Sequence, residues 1–146
     1  SAIYRPLNNI FLNIIMEKIR KKYICKNQIK KGIGGLKELI KLNYDGCSTA
    51  LMIDQRVTEG IKSNFFGKKA FTTTIPAQLT KKFGLPVVPI FIERIGNLKF
   101  KMKVFDPINF SKEDSVENVT SKLNKTLENM ILNNPNDWIW THNRWK

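Results

Sequence analysis

Apolar residues recur with helical spacing in four stretches of the chain. In residues 8–22, "NNIFLNIIMEKIRKK", Ile10, Phe11, Ile14, Ile15 and Ile19 fall on one stripe behind an asparagine cap, which predicts an amphipathic helix with a core-packing face. Its outer face runs into lysines, which suit a helix C-terminus. Residues 33–43, "IGGLKELIKLN", predict a second helix closed by the "YDG" turn at 44–46. "IPAQLTKKFG" at 75–84 reads as a short helix with proline near its first turn and Gly84 at its end. From Ser115 to Asn133, the positions Val116, Val119, Leu123, Leu127, Met130 and Ile131 predict a longer amphipathic helix.

The remaining apolar stretches have strand character. "STALMID" at 48–54 and "LPVVPIFIERI" at 85–95 read as buried strands, and residues 55–74 as a polar loop apart from Phe65, Phe66 and Phe71. "LKFKMKVF" at 98–105 alternates apolar and basic residues, the pattern of a half-exposed strand at a sheet edge, where lysines discourage further pairing. Helix, strand, helix, strand, strand, helix is an α/β order, a mixed sheet flanked by helices. Asp54, Gln55 and Arg56 would then lie just past the carboxyl end of a strand, where open α/β sheets bind ligands. The 146 residues suffice for one domain with a real core.

Charge narrows the partners. The formal net charge of +13 favours anionic ones: nucleic acid, an anionic membrane surface, phosphorylated substrates or acidic proteins. The excess is uneven, with nine Lys/Arg against Glu17 and Glu38 in residues 17–41, and five acids against three lysines in residues 106–128. That asymmetry suggests a docking surface. Lys, Ile and Asn together supply 53 residues, however, a bias that AT-rich coding produces without any ligand. Cys25 and Cys47 have no CxxC spacing and the chain has one histidine, so neither a zinc site nor a disulfide framework is expected, and the thiols read as reduced in a cytosolic environment. No metal or other cofactor is called for. The apolar runs are too short for a spanning helix, and the first residues lack a signal-peptide pattern.

Several blocks, in order and spacing, carry a resemblance: "YRPLNN" at 4–9, "GIGGLKELIKL" at 32–42, "LMIDQ" at 51–55, "FFGKKAFTTTIPAQLTKKFGLPVVPIF" at 65–91 and "PNDWIWTHNRWK" at 135–146. Together they resemble the bacterial lipid A biosynthesis acyltransferases, the lauroyl/myristoyl transferases of the lysophospholipid acyltransferase superfamily. The resemblance implies an acyltransferase-like fold. It also implies transfer of a fatty acyl group from acyl carrier protein to a hydroxyl of a lipid A precursor, at the cytoplasmic face of the inner membrane. The family's general base is a histidine in an H-x4-D/E block lying before "YRP"; this sequence contains no such block, and His142 has no acid five positions after it. Residues 1–146 are accordingly expected to be the C-terminal portion of a single acyltransferase domain, with the base and a membrane anchor in a preceding part. No catalytic residue is assigned within them.

The same resemblance implies substrate contacts. Arg5 would face donor or acceptor phosphates, where a guanidinium gives planar, bidentate recognition, the alternative being a salt bridge that ties the strand end to a helix. Asp54 would orient Arg5 or the acceptor, pairing with Arg5, while Gln55 would hydrogen-bond a sugar hydroxyl; a plain loop cap is the alternative for both. Arg56 follows in the same block. Phe66 would line an acyl channel or pack in the core, and Gly67 would supply a positive φ. Thr72, Thr73 and Thr74 precede a helix and would hold an anion or simply cap it. A non-catalytic anionic-surface or nucleic-acid-binding module is the rival reading, but no nucleic-acid module signature is present and no nucleic acid is expected.

Overall fold

All four helices foreseen from apolar spacing form, and the Asn9 cap and the Gly84 stop are where the sequence put them, whereas neither Gly32 nor Thr74 supplies a side-chain cap to the helix that follows it. A computed structural model describes residues 1–145. The chain divides into two units, Ser1–Met52 and a second beginning at Ile53.

In the first unit, strand β1 (Ala2–Tyr4) pairs in parallel with β2 (Gln28–Lys30), Ile3 opposite Ile29. Helix α1 (Ile10–Tyr23) begins at Asn9, whose side chain accepts the Leu12 N–H at 3.1 Å. Helix α2 (Ile33–Tyr44) lies on β2, with Ile29 and Leu39 fully buried. Gly35 permits that approach: a Cβ there would stand 1.9 Å from the Lys30 carbonyl oxygen.

Two expectations are corrected here. The α1 stripe is not a packed face, because no residue of α1 is buried and Phe11 is 81% exposed. Strands of three residues offer too little surface to cover it. Nor is 48–54 a buried strand. Ala50 makes a single parallel bridge on the other edge of β1, to Ala2, and β1 stops before Pro6, which has no N–H to extend a ladder.

In the second unit, β3 (Ile61–Phe65) and β4 (Lys68–Thr72) form an antiparallel hairpin where a loop was expected. Its turn residues Phe66 and Gly67 have φ of 50° and 75°, positive at both centres, so that the turn twists with the strands. Helix α3 (Ile75–Phe83) ends on left-handed Gly84. Strands β5 (Ile90–Arg94) and β6 (Phe100–Val104) pair antiparallel. β5 is not buried: Phe91 and Glu93 are half-buried while Ile90 and Ile92 face out, the alternation of a two-stranded ribbon. β6 carries its lysines on an edge as expected, but all five of its residues are exposed, so the half-buried face that its alternation predicts does not form in this two-stranded ribbon.

Helix α4 (Val116–Asn133) starts at Ser115, whose hydroxyl accepts the Asn118 N–H at 3.0 Å. It organises the unit. One apolar cluster, Phe65, Ala70 and Ile131, joins it to the hairpin, and another, Ala77, Val119 and Leu123, joins it to α3. The class is α/β, with the strands distributed over one parallel and two antiparallel two-stranded ladders. Among the described residues no helix is long and apolar enough to cross a membrane.

Candidate functional site

The "YRP" block splits into an anchored and a free side chain. The Tyr4 hydroxyl donates to Glu17 Oε1 at 2.5 Å, and the Arg20 guanidinium lies 4.9 Å from the Tyr4 ring centre. Asn13 also donates to that carboxylate, and Lys30 approaches it at 3.4 Å. Tyr4 is thus a packing residue that fixes the end of β1. Arg5, next in line, is exposed and makes no ion pair among the described residues.

Burial first, then the Glu17 hydrogen bond, pushes the Tyr4 phenol up to about 12. Glu17 is held below its ordinary range, chiefly by the Tyr4 hydroxyl. The raised phenol stabilises the fold fully below its ordinary value of 10.0 and loses that contribution as pH rises toward 12. The depressed carboxyl contributes above its ordinary value of 4.5 and loses that as pH falls. The pair therefore works from mildly acidic conditions up to about pH 10. Tyrosinate absorbance should show a step near pH 12 that vanishes in Tyr4→Phe and moves down in Glu17→Gln. Superimposable curves for Glu17→Gln and the parent would contradict this.

In the second unit the hairpin tip is held from below by α4. Glu128, buried, accepts the Phe66 N–H through Oε1 at 2.7 Å, and Lys125 meets its other oxygen at 3.0 Å. Asn124 donates to the Asn64 carbonyl at 3.0 Å and to the Thr72 hydroxyl at 3.1 Å. Phe66 is half-buried and stands 4.8 Å edge-on to Phe65, with Trp138 and Trp140 at 6.4 and 6.3 Å. Trp145 donates its indole N–H to the Phe65 carbonyl at 2.9 Å. The phenylalanines of "FFG" thus differ: Phe65 is core, whereas Phe66 is half-buried beside exposed Gly67. Gly67 has the positive φ expected of it.

Asp54 is half-buried, while Gln55 and Arg56 are exposed. The Arg56 N–H donates to His142 Nε2 at 3.2 Å, so His142 here is an exposed acceptor that holds the segment. The residue that sequence reasoning missed is Arg144. Fully buried, it donates to the Phe71 carbonyl, to Thr72 Oγ1 at 3.0 Å and to the Ile53 carbonyl at 3.4 Å. Burial lowers the guanidinium's pKa, and the charge of Asp54 opposes that shift. Within its own unit Asp54 thus has a cationic neighbour. Of the three threonines, Thr72 belongs to this buried network. Thr73 accepts the Ile75 N–H at 3.3 Å, and Thr74, at the N-cap, accepts from the Gln78 amide at 3.1 Å without capping the backbone itself.

A family model described as bacterial lipid A biosynthesis acyltransferase matches residues 1–146. The chain belongs to that family. The resemblance carried by the "YRP", "LMIDQ", "FFG" and "WIWTHNRW" blocks is thereby borne out, and with it acyl transfer in lipid A biosynthesis as the family's activity and a lipid A precursor as its substrate. No curated protein matches the chain. Among the described residues no group of histidine, cysteine and acidic side chains is arranged to hold a metal ion.

Proposed function

We propose that this acyltransferase moves a fatty acyl chain from acyl carrier protein to a hydroxyl of a lipid A precursor, at the cytoplasmic face of the inner membrane. The observation that carries the reading is the family match along the whole chain. An acceptor hydroxyl is a poor nucleophile at neutral pH until a base takes its proton. These 146 residues hold no H-x4-D/E block, so they supply substrate contacts rather than the base.

In the first unit, exposed Arg5 contacts phosphate. In the second, Asp54 and Gln55 meet the acceptor, with Arg56 beside them. Phe66 and Gly67 contact the acyl chain, and Thr74 an anionic group. Asp54 is supported by its half-buried place, where its charge is felt by buried Arg144, and Phe66 by its half-burial at the hairpin turn. In the full-length acyltransferase, Asp54→Asn is expected to fold normally and to lower acyl transfer tenfold or more, about 1.4 kcal/mol of transition-state stabilisation. Transfer at the parental rate would reduce Asp54 to a loop cap.

Helix α1 supplies the membrane contact in this reading. Ile10, Phe11, Ile14 and Ile15 are each more than half exposed, and Lys18, Lys21 and Lys22 are exposed on the same helix. An apolar face beside cations fits an anionic lipid surface, where each lysine contributes about 1 kcal/mol. Vesicles containing phosphatidylglycerol should sediment more of the chain than neutral vesicles at low salt, and the difference should shrink with added salt. Equal sedimentation with both vesicle types would refute the role of the lysines, and no sedimentation with either would refute the membrane contact.

A further inference from the structure

The buried guanidinium of Arg144 is not explained by packing alone. A cation without water is costly, and an apolar side chain would fill the space more cheaply unless the charge or the fork of donors is needed. Its Nη1 donates to the Phe71 carbonyl, while its Nη2 reaches both the Thr72 hydroxyl and the Ile53 carbonyl at 3.0 and 3.4 Å. Its Nε has no partner, and no carboxylate lies within 4.0 Å of it among the described residues. The Phe65 ring, 5.4 Å away, covers one face of the guanidinium. Every acceptor it does use lies on one of two segments: strand β4, which is rigidly paired to β3, and the residue immediately before Asp54.

We infer that Arg144 is a positioning residue that ties the Ile53 carbonyl to strand β4 and so fixes Asp54 and Gln55 for the acceptor substrate. The inference rests on the reading of Asp54 as an acceptor contact. Two neighbouring donors on one planar group are what allow a single side chain to bridge both segments; a lysine places one ammonium and cannot reproduce that fork. The role is distinct from binding, because a fully buried guanidinium does not touch substrate. The orientation it enforces is that of the segment from Ile53 to Arg56, whose far side is held by the Arg56 N–H on His142.

A double-mutant cycle in the full-length acyltransferase tests this, with melting temperature and acyl transfer to a lipid A precursor both measured. Arg144→Lys is expected to fold and to lower kcat tenfold or more, yet to lower it less than threefold further in the Asp54→Asn background. A reduction by the same factor in both backgrounds would overturn the inference, as would parental kcat in Arg144→Lys. Should Arg144→Lys fail to fold, Thr72→Val, which removes one Nη2 acceptor and leaves the guanidinium, is read in both backgrounds by the same criteria. The two readings fail separately. Parental transfer by Asp54→Asn sinks the site itself, whereas an impaired Asp54→Asn with additive Arg144→Lys sinks only the positioning role.

Discussion

Phe65→Ala lowers the unfolding free energy of the second unit by about 3–5 kcal/mol, the range for truncating a fully buried phenylalanine. The side chain is fully buried between the hairpin and α4, in a cluster with Ala70 and Ile131. Its ring meets Phe66 at 4.8 Å, Trp145 at 5.7 Å and Trp138 at 5.8 Å, each pair contributing about 0.5–1.5 kcal/mol beyond burial. The Arg144 guanidinium also rests on it. Large rigid neighbours cannot collapse into the space left behind, so the cavity term is retained. Urea unfolding followed by tryptophan fluorescence measures the change, and Phe65→Leu should lose much less than Phe65→Ala. A parental midpoint for Phe65→Ala would mean that this cluster does not hold the hairpin.

Glu128→Ala is expected to cost about 2–3 kcal/mol, by leaving the Phe66 N–H without its charged acceptor. That turn has little tolerance, because a phenylalanine at φ 50° already sits in a conformation that aromatic residues seldom adopt. Glu128→Gln keeps an oxygen at the same place and should lose less than about 1 kcal/mol. The exposed Lys125 partner adds little, since solvent screens it. Equal losses for the alanine and glutamine variants would show that the charge, and not the acceptor at Phe66, is what the helix contributes. Replacing Phe66 by glycine in the Glu128→Ala background should recover part of the loss, because the turn's strain would be gone.

How much of this was legible depends on how local the information is. The helices were readable because their signals sit within a few residues: the Asn9 cap, the Gly84 stop, and the spacing of Val119, Leu123 and Ile131. The β3–β4 hairpin was not readable. Its inward residues are Ser63, Phe65, Ala70 and Thr72, two of them polar, so the alternation of apolar and polar residues is hidden, and Phe66-Gly67 is not one of the favoured turn pairs. Those buried hydroxyls make sense only once Asn124 and Arg144 are seen against them. At 48–54 the apolar composition was real, but composition alone does not provide a partner strand longer than β1. Among the site residues, the left-handed Gly67 was predictable from its place in "FFG". Arg144 was inaccessible by the same logic: its acceptors lie 72, 73 and 91 positions away, and nothing next to it signals burial.

That separation also sets an order of events in folding. Pairing of β3 with β4 closes a two-residue turn and belongs to the microsecond regime, and α4 grows from its own capped end. The Ile53 carbonyl, by contrast, accepts from a residue 91 positions away, a contact that closes a far longer loop and is expected to form later than the hairpin. Interactions made after the folding barrier slow unfolding more than they speed folding. Arg144→Lys is therefore expected to speed unfolding of this segment more than it slows folding, and equal effects on both rates in stopped-flow measurements would contradict it.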